Sequence, residues 1–203
     1  MKDLPIFPCQ DGMASLILSE IPYKREAYIL VRSVFGSLDG LLRECAAFCR
    51  SAGAERIYAG GEQDFSAYPV YAHIVERSLD KALLPETEAE AVLTTDPEWT
   101  ELYNRSFHHV HGAKTYRSTP ENAYFILEKG QRIGLGQLID NELAAVASLS
   151  PGCGEKSLIA LAKELPVEKI RLLCAEENAP ATRLYDRLGF SRDRVKRIWY
   201  QLG

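Results

Sequence analysis

Two stretches of this 203-residue chain bring together residue types that suit chemistry. In SPGCGEKS, residues 150–157, Gly152 and Gly154 flank Cys153 between an apolar run and a helical pattern. Paired glycines let backbone approach an anion closely, and the free N–H groups at a helix start face it with the positive end of the helix dipole. Gly152, Cys153, Gly154, Glu155, Lys156 and Ser157 therefore form a candidate phosphate cradle, with an ordinary strand-to-helix turn as the alternative. A nucleotide P-loop is set aside, because that motif has four residues between its glycines and Lys directly after the second. Here a single residue separates the glycines and Glu155 precedes Lys156.

The second stretch is NAPATRLYDRLGF, residues 178–190. Asn178 suits a helix cap, Pro180 the first turn, and Ala181, Leu184, Tyr185 and Leu188 recur at helical spacing. Gly189 supplies a left-handed stop and Phe190 folds back onto the helix. On the helix alone, Tyr185 reads as a core aromatic with its hydroxyl bonded.

Other candidate groups are weaker. Cys45 and Cys49 lie one helical turn apart but have no nearby histidines, so they read as buried small hydrophobes rather than a zinc site, while Cys9, Cys153 and Cys174 read as reduced thiols. His108, His109 and His111 cluster at a helix end, yet adjacent histidines project in different directions and no acidic partner is evident. No metal site is expected.

The elements that must hold these residues are legible from Ala89 onward. AEAVLTT reads as a strand and PEWTELYNRSFHHV as a helix capped by Asp96. NAYFILEK and RIGLGQLI form a hairpin about Lys129-Gly130, and Asp140-Asn141 turns the chain into ELAAVASL. SPGCGEKS, the helix LIALAKEL and the strand KIRLLCA follow, then the Tyr185 helix and a closing strand or hairpin, SRDRVKRIWYQL. This predicts an α/β chain with a mixed sheet. AYILVRSV, FGSLDG, LLRECAAFCRSAG and AERIYAGG repeat part of that order, raising an internal repeat. The acidic LPETEAE marks a link, so the expected division is 1–88 and 89–203, with the first part an α/β accessory half. Tyr68 and Tyr71 are expected to pack between the halves.

With 46% apolar and 26% charged residues, the chain suits a globular protein with a sizeable core. A formal net charge of -4 argues against capture of nucleic acid. No run reaches membrane-spanning length, MKDLPIFPCQDG lacks a signal-peptide pattern, and five cysteines without metal-type spacing fit reduced thiols. The cytoplasm is the expected location.

The run ELAAVASLSPGCGEKSLIALAKEL followed by NAPATRLYDRLGF resembles the GNAT superfamily of acyl-CoA-dependent N-acyltransferases. The pattern formed by Asn178, Ala181, Leu184, Tyr185, Gly189 and Phe190 carries the likeness, and the element order from Ala89 to Gly203 agrees with the GNAT fold. The resemblance implies acetyl-CoA, or another acyl-CoA, in a cleft where the strand ending at Leu149 splays from the one ending near Ala175. It further implies that backbone groups of Val146, Ala147 and Ser148 hold the pantetheine arm, that residues 152–157 cradle the pyrophosphate, and that Asn178 contacts the pantetheine. Tyr185 in this family protonates the departing thiolate.

Direct attack of an amine on a thioester needs positioning, a polarised carbonyl and proton transfers, with neither metal nor covalent enzyme intermediate. A phenol of ordinary pKa, about 10, keeps its proton at neutral pH and can donate it. Presenting a lysine-like amine neutral at pH 7 costs roughly 4 to 5 kcal/mol, which calls for a base or a water chain. Glu142, at the start of its strand, is the candidate base; a solvated strand-end carboxylate is the alternative. The chain departs from the family at Leu149, where Gln or Arg is usual, and at Glu155, whose charge Lys156 is expected to offset. FGSLDG and GEQDFSAYPVY lack the family's patterns, so the first part should complete the acceptor cleft or support a homodimer rather than bind the cosubstrate. The sequence reading is an N-acyltransferase acting on an amine, with a catalytically silent acyl-CoA-binding or protein-interaction module as its rival.

Overall fold

The computed structural model describes residues 2–203. In chain order the elements begin with β1 (Leu4–Cys9), β2 (Gly12–Ile17), the single turn α1 (Ile21–Lys24), β3 (Glu26–Val34), α2 (Leu38–Ser51), β4 (Arg56–Gly60) and β5 (Val70–Asp80). After a link come β6 (Glu90–Leu93), α3 (Pro97–Phe107), β7 (Ala123–Glu128), β8 (Gln131–Ile139) and β9 (Glu142–Ser148). The order closes with α4 (Gly154–Lys163), β10 (Lys169–Ala175), α5 (Ala179–Leu188) and β11 (Ser191–Leu202). Two compact units divide the chain: one reaches to Ile74 and takes back Val195–Gly203, and the other is Val75–Arg194. Residue 88 lies in the link before β6, so the chain crosses between units inside β5 and again inside β11.

In the first unit β1, β2 and β3 form an antiparallel meander, and β3 runs parallel to β4 after α2. Ser37 caps α2, its hydroxyl accepting from the Gly40 N–H at 3.3 Å. Leu41, Leu42, Cys45, Ala46 and Cys49 then form the buried face expected of an amphipathic helix. Cys9 and Cys45 meet at 3.5 Å between sulfurs within that core. The far edge of β4 pairs antiparallel with β11, Tyr200 lying opposite Ala59. Tyr68 and Tyr71, expected to pack between the halves, both lie in this unit: Tyr68 donates to Asp39 at 2.6 Å and Tyr71 stacks on Tyr58.

The second unit is built on β6, β7, β8 and β9 in antiparallel succession. Lys129 and Gly130 have φ of 51° and 77°, and Asp140 and Asn141 have 50° and 62°, the left-handed pairs that tight two-residue hairpins require. α4 seats directly on β8: a Cβ on Gly134 would stand 2.2 Å from the Ser157 hydroxyl, and one on Gly136 2.3 Å from Leu161. Glycine is thus demanded by close helix–strand approach rather than by backbone angle. On the opposite face α3 packs Trp99 and Tyr103 against Phe125 and Leu135. β10 lies between β9 and β5. Each unit therefore contains part of a strand from the other half of the sequence, the end of β11 in the first and the end of β5 in the second. No helix among the described residues is long and apolar enough to cross a membrane.

Candidate functional site

The site begins with a defect in β9. Gln137 pairs with Ala145 but Leu138 pairs with Leu143, leaving Ala144 as an extra residue that bends the strand. The parallel ladder between β9 and β10 is confined to Leu143 opposite Leu172, so the strands part toward their C-terminal ends. By contrast β3 and β4 pair over five successive positions, from Glu26 with Arg56 to Leu30 with Gly60. Val146 and Ala147 line β9 beyond the fork, half-buried, and Ser148 is exposed with its hydroxyl donating to the Ser150 carbonyl. Glu142 opens β9 opposite Ile139, two residues before the bulge.

At the end of β9 the Leu149 N–H donates to the Ile133 carbonyl at 2.8 Å, and its side chain joins the aromatic cluster around Trp99 and Tyr103. The Cys153 N–H then donates to Ser150 O at 3.2 Å, closing a turn about Gly152, whose φ is 78°. Cys153 holds the N-cap position of α4, and no side chain caps the helix. The first N–H groups of a helix have no acceptor within it, so this end presents unsatisfied donors. A Cβ at Gly152 would meet nothing within 4 Å, and one at Gly154 only Leu184 at 3.6 Å and Ser148 at 4.0 Å. Space is open at Gly152 and only ordinarily packed at Gly154, which leaves room for an anionic group such as a diphosphate.

The charged residues of the loop have partners of their own. Arg187 on α5 donates to Glu155 at 3.0 Å, so the carboxylate is answered by Arg187. Lys156, expected to offset Glu155, instead pairs with Glu128 at the end of β7. Ser157 is fully buried and commits both its N–H and its hydroxyl to the Cys153 carbonyl, at 2.9 and 2.8 Å. It is the member of the expected cradle that faces inward.

α5 starts at Asn178, whose side chain accepts from the Ala181 N–H at 3.4 Å, and stops at Gly189 with φ of 85°. Tyr185 is 8% exposed and its ring packs on Phe190 at 5.7 Å between centroids. Burial pushes the phenol pKa well up and the neighbouring Cys174 adds to this, while Arg77 pulls it down. Arg77 on β5 is 3% exposed and bonds Asp186 at 2.6 Å. Nothing local in the sequence signals Arg77, because it precedes the expected boundary and belongs to no motif.

The corresponding position of the first unit is filled from within. The carbonyl of Asp11 accepts from the N–H groups of Phe35 and Gly36 at 2.7 and 3.1 Å, and its carboxylate accepts from the Ser37 N–H at 3.1 Å. A Cβ on Gly40 would stand 1.8 Å from that carboxylate. The segment between β4 and β5 forms no helix, so nothing there corresponds to α5. The chain's own carboxylate occupies the helix start that α4 leaves open.

His108 and His109 meet ring to ring at 4.7 Å, and no group of three metal-capable side chains occurs among the described residues. A groove of about 860 Å³ opens elsewhere in the second unit, lined by Asp80, Lys81, Glu168, Lys169, Gly189 and Ser191, at the opposite end of β10 from the fork.

No protein-family model matches the sequence, and no curated protein matches it. Solved structures do match in shape. A GCN5-related N-acetyltransferase from Sphaerobacter thermophilus is similar at a TM-score of 0.54 and 15% identity, over 94% of this chain and 76% of that one. One from Kribbella flavida is similar at 0.55 and 14%, over 98% and 89%. A tandem GNAT protein from the clavulanic acid biosynthesis pathway is similar at 0.50 and 14%, over 95% and 79%. The chain shares its mixed α/β fold with these N-acetyltransferase structures.

Proposed function

We propose that the chain is an N-acyltransferase that moves an acetyl or other acyl group from acyl-CoA to a primary amine. We further propose that residues 89–203 supply the cosubstrate-binding elements and that the fork of β9 and β10 is the site. One contrast carries the reading: the α4 start is uncapped beside parting strands, whereas the α2 start holds Asp11 beside strands that stay paired. Amides of Gly152, Gly154, Glu155 and Lys156 would hold the diphosphate, the edge of β9 at Val146, Ala147 and Ser148 the pantetheine arm, and Asn178 its amide.

In this reading the amine nitrogen bonds to the acyl carbon as the carbon–sulfur bond breaks and the electron pair leaves with sulfur. Tyr185 gives sulfur its proton, and the proton lost by nitrogen restores Tyr185. The acceptor's ammonium form first gives one proton to Glu142, directly or through water, so that nitrogen attacks neutral; the second proton, lost as the amide forms, is the one that returns to Tyr185. The reading is tested by calorimetry with acetyl-CoA, followed by thiol-release assays across an amine panel. Tyr185→Phe is expected to cut turnover by about 10²-fold or more while sparing acetyl-CoA affinity; unchanged turnover removes Tyr185 from the mechanism. Leu149 packed into aromatic surroundings favours a second reading, a silent acyl-CoA-binding module, and binding without turnover on any amine would select it.

A further inference from the structure

Arg77 is an unusual residue to find inside a core. Its side chain is 4% exposed, and its Nε has no hydrogen-bond partner among the described residues. A guanidinium withdrawn from water needs compensation, normally a carboxylate buried with it. The carboxylate it meets, Asp186, is itself 59% exposed, so solvent screens the anion far more than the cation. The arrangement leaves positive potential on the inner side of the pair. Two buried groups feel the Arg77 charge: the Cys174 thiol and the Tyr185 phenol, whose residue directly precedes Asp186. Burial acts on both to favour the neutral form, and the cation acts on both in the opposite sense.

We infer that Arg77 is a positioning residue for the proposed reaction, holding Tyr185 in place through Asp186 and stabilising the charge left on the phenol oxygen as its proton passes to sulfur. The inference rests on the acyl-CoA reading. Its physical need is plain: a phenol shut away from water gives up a proton reluctantly, and a nearby fixed cation makes the donation easier without water having to enter. It also gives the first part of the sequence a chemical task. Arg77 sits before residue 88, yet the end of β5 belongs to the unit that contains Tyr185.

Coenzyme A is the probe, titrated into the full chain by calorimetry while the thiolate absorbance of the bound ligand is followed against pH. Arg77→Met is expected to raise the pH at which the bound thiol ionises by about one unit, roughly tenfold less thiolate at a given pH. Arg77→Lys should leave that pH nearly unchanged, and in a Tyr185→Phe background the effect of Arg77→Met should vanish. Asp186→Asn removes the countercharge from an exposed position and is expected to shift the ionisation the other way, which keeps the test open should Arg77→Met fail to fold. Bound coenzyme A whose ionisation is unmoved in Arg77→Met, or in Asp186→Asn where the former does not fold, overturns the role of Arg77 alone. Failure of the wild-type chain to bind coenzyme A overturns the acyl-CoA reading, and this role with it.

Discussion

Cutting the chain at residue 88 should not yield a stable second half. A fragment of residues 89–203 lacks Val75, Arg77 and Leu79, which are 0%, 3% and 4% exposed in the unit that the fragment is meant to reproduce. Burying a Val or Leu side chain is worth about 1.5–3 kcal/mol, so the two apolar losses alone remove roughly 3–6 kcal/mol. Losing β5 also strips a neighbour from one edge of β10 and leaves Asp186 without Arg77. Against a typical domain stability of about 5–15 kcal/mol, the fragment is left marginal or unfolded. Thermal unfolding followed by circular dichroism measures this, with a synthetic peptide of residues 70–80 added in trans to restore the missing strand. Leu79→Ala in the full chain provides a gentler version, expected to cost about 2–5 kcal/mol. A fragment that melts cooperatively at the full-length temperature would refute the argument, since β5 would then contribute nothing essential to the unit.

Three other outcomes follow from local geometry. Gly154→Leu should fold normally, because its Cβ meets only ordinary contacts, yet weaken acetyl-CoA binding about tenfold or more by covering amides at the α4 start; calorimetry finding unchanged affinity would mean that the loop does not hold the diphosphate. Asp11→Ala is expected to lower stability by about 0.5–2 kcal/mol through loss of the acceptor at the α2 start, with added sulfate recovering part of the loss; an unchanged urea midpoint would contradict this. Asp96 has its pKa held down by the Glu98 N–H and by Arg132, so its charge contributes stability above the unfolded value near 3.9, a contribution lost as pH falls through the lower folded value. Asp96→Asn keeps a capping side chain, so its melting temperature should trail the wild type at neutral pH and converge with it in acid; a gap that persists in acid would assign the effect to something other than charge.

Much of the second unit was legible because its signals are local. Asp96 with Pro97, Lys129-Gly130, Asp140-Asn141 and Asn178 with Gly189 each fix a boundary through backbone chemistry within a few residues. The helix faces of α2 and α5 follow from spacing, and the thiols at Cys45 and Cys49 read correctly as core. What escaped depends on partners far along the chain. Glu155 finds Arg187 across 32 residues, Lys156 finds Glu128 across 28, and Arg77 finds Asp186 across 109. Composition and periodicity carry no record of such pairings. The strands exchanged between the units escaped for the same reason, since SRDRVKRIWYQL reads as a strand without stating which sheet receives it.

The late arrival of β11 also has a consequence for synthesis. On a ribosome, β4 emerges with one edge bare, and the segment that pairs with it, Tyr200 opposite Ala59, is translated more than a hundred residues later. At about 5–20 residues per second that wait lasts on the order of ten seconds, with an open hydrogen-bonding edge beside Ile57 and Tyr58 exposed to other nascent chains. Heat-shock induction, ribosome crowding or slow codons downstream of Gly60 would lengthen the window, and chaperone demand during translation should track that interval rather than the stability of the finished molecule.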